Sequence, residues 1–247
     1  MPAMRADAPA KAGVRLLPTS RTAALAGAAL LFLSAMSDGT PAATYPDVRH
    51  ATFHQLIFAN DDVAILNNHY PPGGDSDYHQ HSHDLFAVAI TPSFASIGQP
   101  GQAMSEPRQQ PAGLVSFGAI DAPIVHRVIN RSDQPAQFIA IEIRRPAPMA
   151  GLVSERGAGY RLVTDNDRLR AWRILLEPGQ ALPAFTQRAN GVRVVVRGGL
   201  LVTQRPGIAH QTLALASGDA AFQQAGETRA LRNVGTTTIE FVELELK

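Results

Sequence analysis

The residues best suited to chemistry lie in one short stretch. Gly73-Gly-Asp-Ser-Asp-Tyr-His-Gln-His-Ser-His-Asp84 holds three of the chain's eight histidines. On a β-strand, side chains at i and i+2 project from the same face. His79 and His81 therefore point together, and one ion can take a nitrogen from each. A third imidazole must come from elsewhere, and His126 sits just before a predicted late strand. Imidazole suits Zn, Cu, Fe and Ni, whereas all-oxygen sites suit Mg and Ca. Three protein ligands leave coordination positions open, the form of a catalytic site rather than a closed structural one. Residue types and spacing alone also allow a plainer reading, a surface loop of solvated histidines.

The neighbours carry weaker signals. His83 continues the i, i+2 series but falls where the strand should turn, so contact with solvent or with the ligands is expected rather than ligation. Asp84 is the first carboxylate after the histidines, and three roles stand open for it. It is a displaced fourth ligand, a partner orienting one imidazole, or a turn residue bonding to local backbone. His50, His54, His69 and His210 belong to no motif and read as surface or hydrogen-bonded histidines. The chain has no cysteine, which excludes disulfides, thiolate metal sites and cysteine nucleophiles. It has no Gly-x-Ser-x-Gly elbow, phosphate loop or dinucleotide fingerprint. A formal charge of +1 and the lack of a basic stripe give no reason to expect nucleic acid.

The elements that must position these histidines are short strands. Phe86–Ile90, Phe138–Ile143, Val192–Val196 and Ile239–Leu246 are compact apolar or alternating runs bounded by Gly, Pro, Asn or Asp. Such runs, with no long helical periodicity, predict an all-β sandwich or barrel. Arg144–Gly151, with its prolines and glycine, reads as a linker. The first 43 residues differ from the rest. Arg5, Lys11, Arg15 and Arg21 precede the apolar run Ala23–Met36, and Ala42-Ala43 forms a small-residue exit. This pattern predicts a signal peptide over residues 1–43 and a periplasmic or secreted protein, membrane-anchored if the segment is not cleaved. Its removal takes four basic and two acidic side chains and moves the charge from +1 to −1.

The remainder repeats itself. Val63–Gly73 lines up with Leu169–Gly179 at an offset of 106, and Asn130 and Phe138–Ile143 line up with Asn233 and Phe241–Leu246 at an offset of 103. A unit of this length is a duplicated domain rather than a solenoid repeat. The expected division is residues 44–147 and 148–247.

These motifs resemble those of the cupin superfamily. Its first motif is a glycine, five residues, His-x-His, three or four residues, Glu, six residues and a glycine. Gly73 followed by His79-Gln-His81 matches its start. Its second motif ends in a histidine, three residues and an asparagine, as in His126-Arg-Val-Ile-Asn130. The first half departs at the Glu position, which falls on Leu85 or Phe86, at the closing glycine, which is Ser93, and at Asp121 and Pro123. The second half keeps the glycines Gly179, Gly199, Gly218 and Gly226 and the asparagine Asn233, but Phe185, Gln187, Val192 and Arg229 hold the ligand positions.

The resemblance implies two jelly-roll β-barrels, the second without a metal. It makes His79, His81 and His126 the ligands of one divalent metal, Fe(II) foremost and Mn, Zn, Ni or Cu as alternatives. A three-histidine site without Glu resembles that of Fe(II) cupin dioxygenases, which implies a small-molecule metalloenzyme. The alternative is a non-catalytic protein binding a metal or small molecule. The expected partner is a small-molecule ligand or substrate, with no nucleic acid, no membrane after loss of the leader, and pairing of the two halves within the chain or across a homodimer. Arg229, at a ligand position, is expected either to meet an anion or to pair with a carboxylate.

Overall fold

A computed structural model describes residues 44–144 and 154–247, so the predicted leader and most of the predicted linker lie outside the described residues. Among the described residues there is no α-helix, only a 3-10 turn at Val48–His50. The first half contains β1 (His54–Ala59), β2 (Val63–Tyr70), β3 (His79–His81), β4 (Asp84–Ala89), β5 (Ser93–Gly98), β6 (Arg108–Gln110), β7 (Val115–Gly118), β8 (Ile124–Asn130) and β9 (Ala136–Ile143). The second contains β10 (Tyr160–Asp165), β11 (Leu169–Leu176), β12 (Ala181–Thr186), β13 (Gly191–Arg197), β14 (Gly199–Gln204), β15 (Gln211–Leu215), β16 (Ala220–Gln223), β17 (Thr228–Asn233) and β18 (Ile239–Leu246).

The strand orders show the duplication directly. One half has sheets β1-β2-β9-β4-β7 and β3-β8-β5-β6, and the other has β10-β11-β18-β13-β16 and β12-β17-β14-β15. Every strand of the second half is the ninth after its counterpart. Even the irregularities recur: β1 loses register between Leu56 and Phe58, and β10 between Leu162 and Thr164. The turns are also built alike. Gly73 and Gly179 take left-handed φ values of 70° and 78°. Their amides donate to the carbonyls of Asn130 and Asn233. The Asn130 amide donates to Tyr70, Pro71 and Gln134 carbonyls, and that of Asn233 to Leu176 and Thr237 carbonyls. Both asparagines thus hold the turn that leads toward the ligand strand.

The expected barrels are not formed. All four sheets are open, and none closes on itself. The physical reason lies at the corners. The chain passes from β3 in one sheet to β4 in the other through Ser82 and His83 alone, and among the described residues the bridges outside the named strands are Asp47–Gln80 and Asp75–Ile129. Strands that change sheets at such corners leave no ladder to complete a ring. Each half is a β-sandwich.

The largest apolar core lies between the halves. Val63, Ile65, Phe86, Val88, Ile139, Ile141 and Ile143 pack with Leu169, Ala171, Val192, Val194, Val242 and Leu244. With both faces covered, β2, β9 and β18 are buried along nearly their whole length. Alternate residues of β9 and β18 face the other way, into each sandwich, and there they include the charged Glu142, Glu243 and Glu245, all buried. Polar ties reinforce the join, from Asn190 to Asp62 at 2.7 Å and from Arg168 to Asp84. Because Ile141 is fully buried in this shared core, Ile141→Ala should cost about 2–5 kcal/mol. Both halves should lose that stability in one cooperative transition, which scanning calorimetry would show as a single peak.

Candidate metal centre

Strand pairing gathers the histidines. β3 and β8 lie antiparallel with His79 opposite His126 and His81 opposite Ile124. His79 and His81 face the same side, as the i, i+2 spacing requires. The Nε2 atom of His126 lies 3.1 Å from Nε2 of His79 and 3.1 Å from Nε2 of His81. Nitrogens each about 2.1 Å from one ion can stand at this separation. All three rings are buried, with 0 %, 2 % and 8 % exposure for His79, His81 and His126. A solvated loop is therefore excluded, and the ligand atoms lie within 4.8 Å of one another, consistent with a site for one divalent metal.

Of the other ring nitrogens, only that of His79 is held by a hydrogen bond. His79 Nδ1 lies 3.0 Å from the Asp77 carbonyl, which favours a proton on Nδ1 and a free lone pair on Nε2. His81 Nδ1 has no hydrogen bond, and the Glu142 carboxylate stands 3.8 Å from it with both groups 2 % exposed. His126 Nδ1 is likewise buried without a hydrogen bond. Burial lowers the basicity of His79 and His126, with help from neighbouring imidazoles. It pushes His79 down to about 3 and His126 well below the ordinary histidine value. Neutral imidazoles are the form that ligates a metal.

Sequence reasoning missed two participants. His54 on β1 packs its ring 4.6 Å from that of His79. Its Nδ1 meets the Thr52 carbonyl at 2.8 Å, its Nε2 lies 3.3 Å from the Tyr70 hydroxyl, and burial lowers it to about 4. It sits in no motif, so the sequence carried no signal for it. Glu142 did leave one, as the lone charge within the apolar run Phe138–Ile143.

Asp84 is directed elsewhere. One oxygen accepts from the Ile120 amide at 2.7 Å, and the other pairs with Arg168 of the second half. The carboxylate beside the cluster is Glu142. His83 is half-buried at the corner between β3 and β4 and does not join the three converging rings. Glu142→Gln should weaken metal affinity about 10- to 100-fold, while Asp84→Asn should leave it within about twofold, as metal titration would show.

The depressed histidines also set a pH response. In the unfolded chain these rings take up protons below about pH 6.5. In the folded, metal-free protein His54, His79 and His126 resist protonation until far lower pH. The unfolded state therefore binds more protons in that interval, and stability falls as pH falls. Denaturant titrations of the metal-free protein should show the midpoint dropping steadily from pH 7 to pH 4.5, flanking about the histidine range.

In the second half the same positions carry different chemistry. Phe185 stands opposite Arg229, the pairing that His79 and His126 make in the first half. Arg229 Nη2 donates to Gln187 Oε1 at 2.6 Å and to Glu243 at 3.3 Å. Of its two expected roles, pairing with a carboxylate is thus present.

The likenesses to known proteins agree with this architecture. No protein-family model and no curated protein sequence matches the chain. Among solved structures, AerE from Microcystis aeruginosa superposes with a TM-score of 0.57 at 11% identity, over 80% of this chain and 98% of its own. The salicylate 1,2-dioxygenase from Pseudaminobacter salicylatoxidans superposes with a TM-score of 0.53 at 14% identity, over 80% of this chain and 76% of its own. A protein from Leptotrichia buccalis described as a cupin 2 conserved barrel domain protein reaches 0.49 at 12% identity, over 78% of this chain and 88% of its own. The chain shares the fold of AerE and of the salicylate 1,2-dioxygenase, in a two-copy arrangement. Its first copy holds a three-histidine cluster consistent with one divalent metal.

Proposed function

We propose that this protein is a mononuclear metalloenzyme acting on a small molecule, with Fe(II) as the metal and dioxygen as co-substrate. The observation that carries the reading is the gathering of three buried imidazoles with no carboxylate among them. His79, His81 and His126 would hold the ion, the Asp77 carbonyl would keep the His79 ring aimed, and Glu142 would place a negative charge beside His81. An iron ion so held supplies redox chemistry and open positions for a chelating substrate. The protein's part is to keep His79 and His126 unprotonated, to exclude water through the buried cluster, and to pack His54, itself bonded to Thr52 and Tyr70, against His79. The fold likeness to a salicylate 1,2-dioxygenase supports this choice only as an example of oxygen chemistry on the same scaffold.

The second copy is proposed to have lost its metal. At the positions of two ligands it places Phe185 and Arg229, and the guanidinium supplies a fixed positive charge where the first copy would hold an ion.

The test is oxygen uptake by the iron-loaded chain with a panel of thiols, diketones and aromatic diols. Uptake that requires both iron and one substrate class supports the enzyme. One bound metal with no uptake across the panel would leave the non-catalytic metal-binding reading instead.

A further inference from the structure

The second sandwich contains a cleft that the proposed metal chemistry does not use. Its volume is about 450 Å³, and Arg193, Arg229 and Thr203 stand in its wall with Val195, Leu213 and Phe222. That is within the range of small-molecule sites.

The charges buried behind its wall do not balance. The side chains of Arg156, Arg193 and Arg229 are 0 %, 7 % and 2 % exposed, and the carboxylates buried with them are Glu243 and Glu245. Three guanidiniums therefore face two carboxylates. Arg156 bonds to both, and Arg193 gives Nε and Nη2 to Glu243 at 2.9 and 2.7 Å. Arg229 is left short. Its Nη2 is bonded, but its Nε and Nη1 are buried without a hydrogen bond. The nearest further carboxylate, Glu227, is 3.8 Å from Nη1, is partly exposed, and is shared with Arg205 at 3.4 Å. Asp219, also in the wall, gives an oxygen to the Ala216 amide at 2.7 Å. Thr203 Oγ1 is a second buried group without a partner in the same wall. Buried donors left unpaired are costly, and two of them in one cleft mark where acceptor atoms belong.

We propose that this cleft binds a small monocarboxylic acid, its carboxylate on Arg229 and Thr203 and its apolar body along Val195, Leu213 and Phe222. Arg229 contributes its unpaired N–H groups, and Thr203 its hydroxyl proton. The apolar wall selects against a bare inorganic anion. The site is separate from the histidine cluster and does not depend on a metal there.

Calorimetric titration of the full chain with benzoate, after removal of metal by chelator, tests this. The expected result is saturable binding of about one benzoate per chain. Thr203→Val should weaken it about three- to tenfold, and Arg229→Gln at least about tenfold. Should Arg229→Gln fail to fold, Thr203→Val carries the test, because removing an unpaired hydroxyl leaves the packing in place. No saturable binding up to about 10 mM, or unchanged affinity in a folded Thr203→Val, would overturn the proposal. Inorganic phosphate binding as tightly as benzoate would overturn the assignment to a carboxylic acid. Because the measurement uses metal-free protein, its outcome is independent of whether the metalloenzyme reading holds.

Discussion

His126→Ala should abolish stoichiometric metal binding. The wild-type chain, purified without chelator, should carry about one transition-metal ion per chain by elemental mass spectrometry, and the variant less than about a tenth of that. The reason is geometric. His126 Nε2 is the atom that stands 3.1 Å from both other Nε2 atoms, so its loss removes the shared contact of the triad. His79 and His81 would remain as a two-nitrogen pair, and two imidazoles with no carboxylate in the set hold an ion far more weakly than three. The variant should also fold. Deleting a neutral ring from a cluster whose burial is costly removes a desolvated polar group along with some packing. If the wild type takes up no metal after exposure to Fe(II), Mn(II), Zn(II), Ni(II) and Cu(II), the site is a polar core and not a metal centre.

Glu243→Gln should produce the largest loss of stability of any single polar substitution in the second half. Glu243 is 1 % exposed and receives Arg156, Arg193 and Arg229. Burial alone would raise its pKa, but Arg193, Arg229 and Arg156 overcome that and hold the carboxyl well below its usual range. Neutralising it leaves three buried guanidiniums facing Glu245 alone. Breaking a buried ion network from one side costs roughly 3–5 kcal/mol. For a chain of this size that lowers Tm by about 10 °C. Glutamine keeps the shape, so the loss isolates the charge. Thermal melts at neutral pH measure it, and a shift under about 2 °C would mean that solvent already compensates the guanidiniums. The sign with pH is also distinct. A depressed carboxylate gives full stability above its unfolded value and loses it only as pH falls below about 4.5. Acid sensitivity between pH 6.5 and 4.5, roughly the histidine window, belongs instead to His54, His79 and His126.

Much of the fold was legible because it follows from local rules. The i, i+2 spacing of His79 and His81 needs only a strand to place both rings on one face. The turns at Gly73 and Gly179 are readable because their left-handed backbone favours glycine. The offsets of 106 and 103 announced a duplication, and the strand orders repeat it element for element.

Other features depend on which strands become neighbours. Counting along the chain made Asp84 the carboxylate nearest the vacant Glu position of the motif, yet the corner after β3 turns it toward Arg168, and β9 brings Glu142 to His81 from 61 positions away. His54 reaches His79 only because β1 flanks β2 at the sheet edge. The open sheets that replace the expected barrels were equally invisible, since closure is decided by hydrogen bonds between sheets at the corners. The sequence by itself determined the all-β class, the two-copy plan and the identity of the three converging histidines, because strand periodicity and turn chemistry are local. Only the tertiary structure decided that the two copies share one core within the chain, that Glu142 and His54 attend the cluster, and that three guanidiniums crowd two carboxylates in the second copy. Those facts come from long-range packing, which residue spacing does not encode.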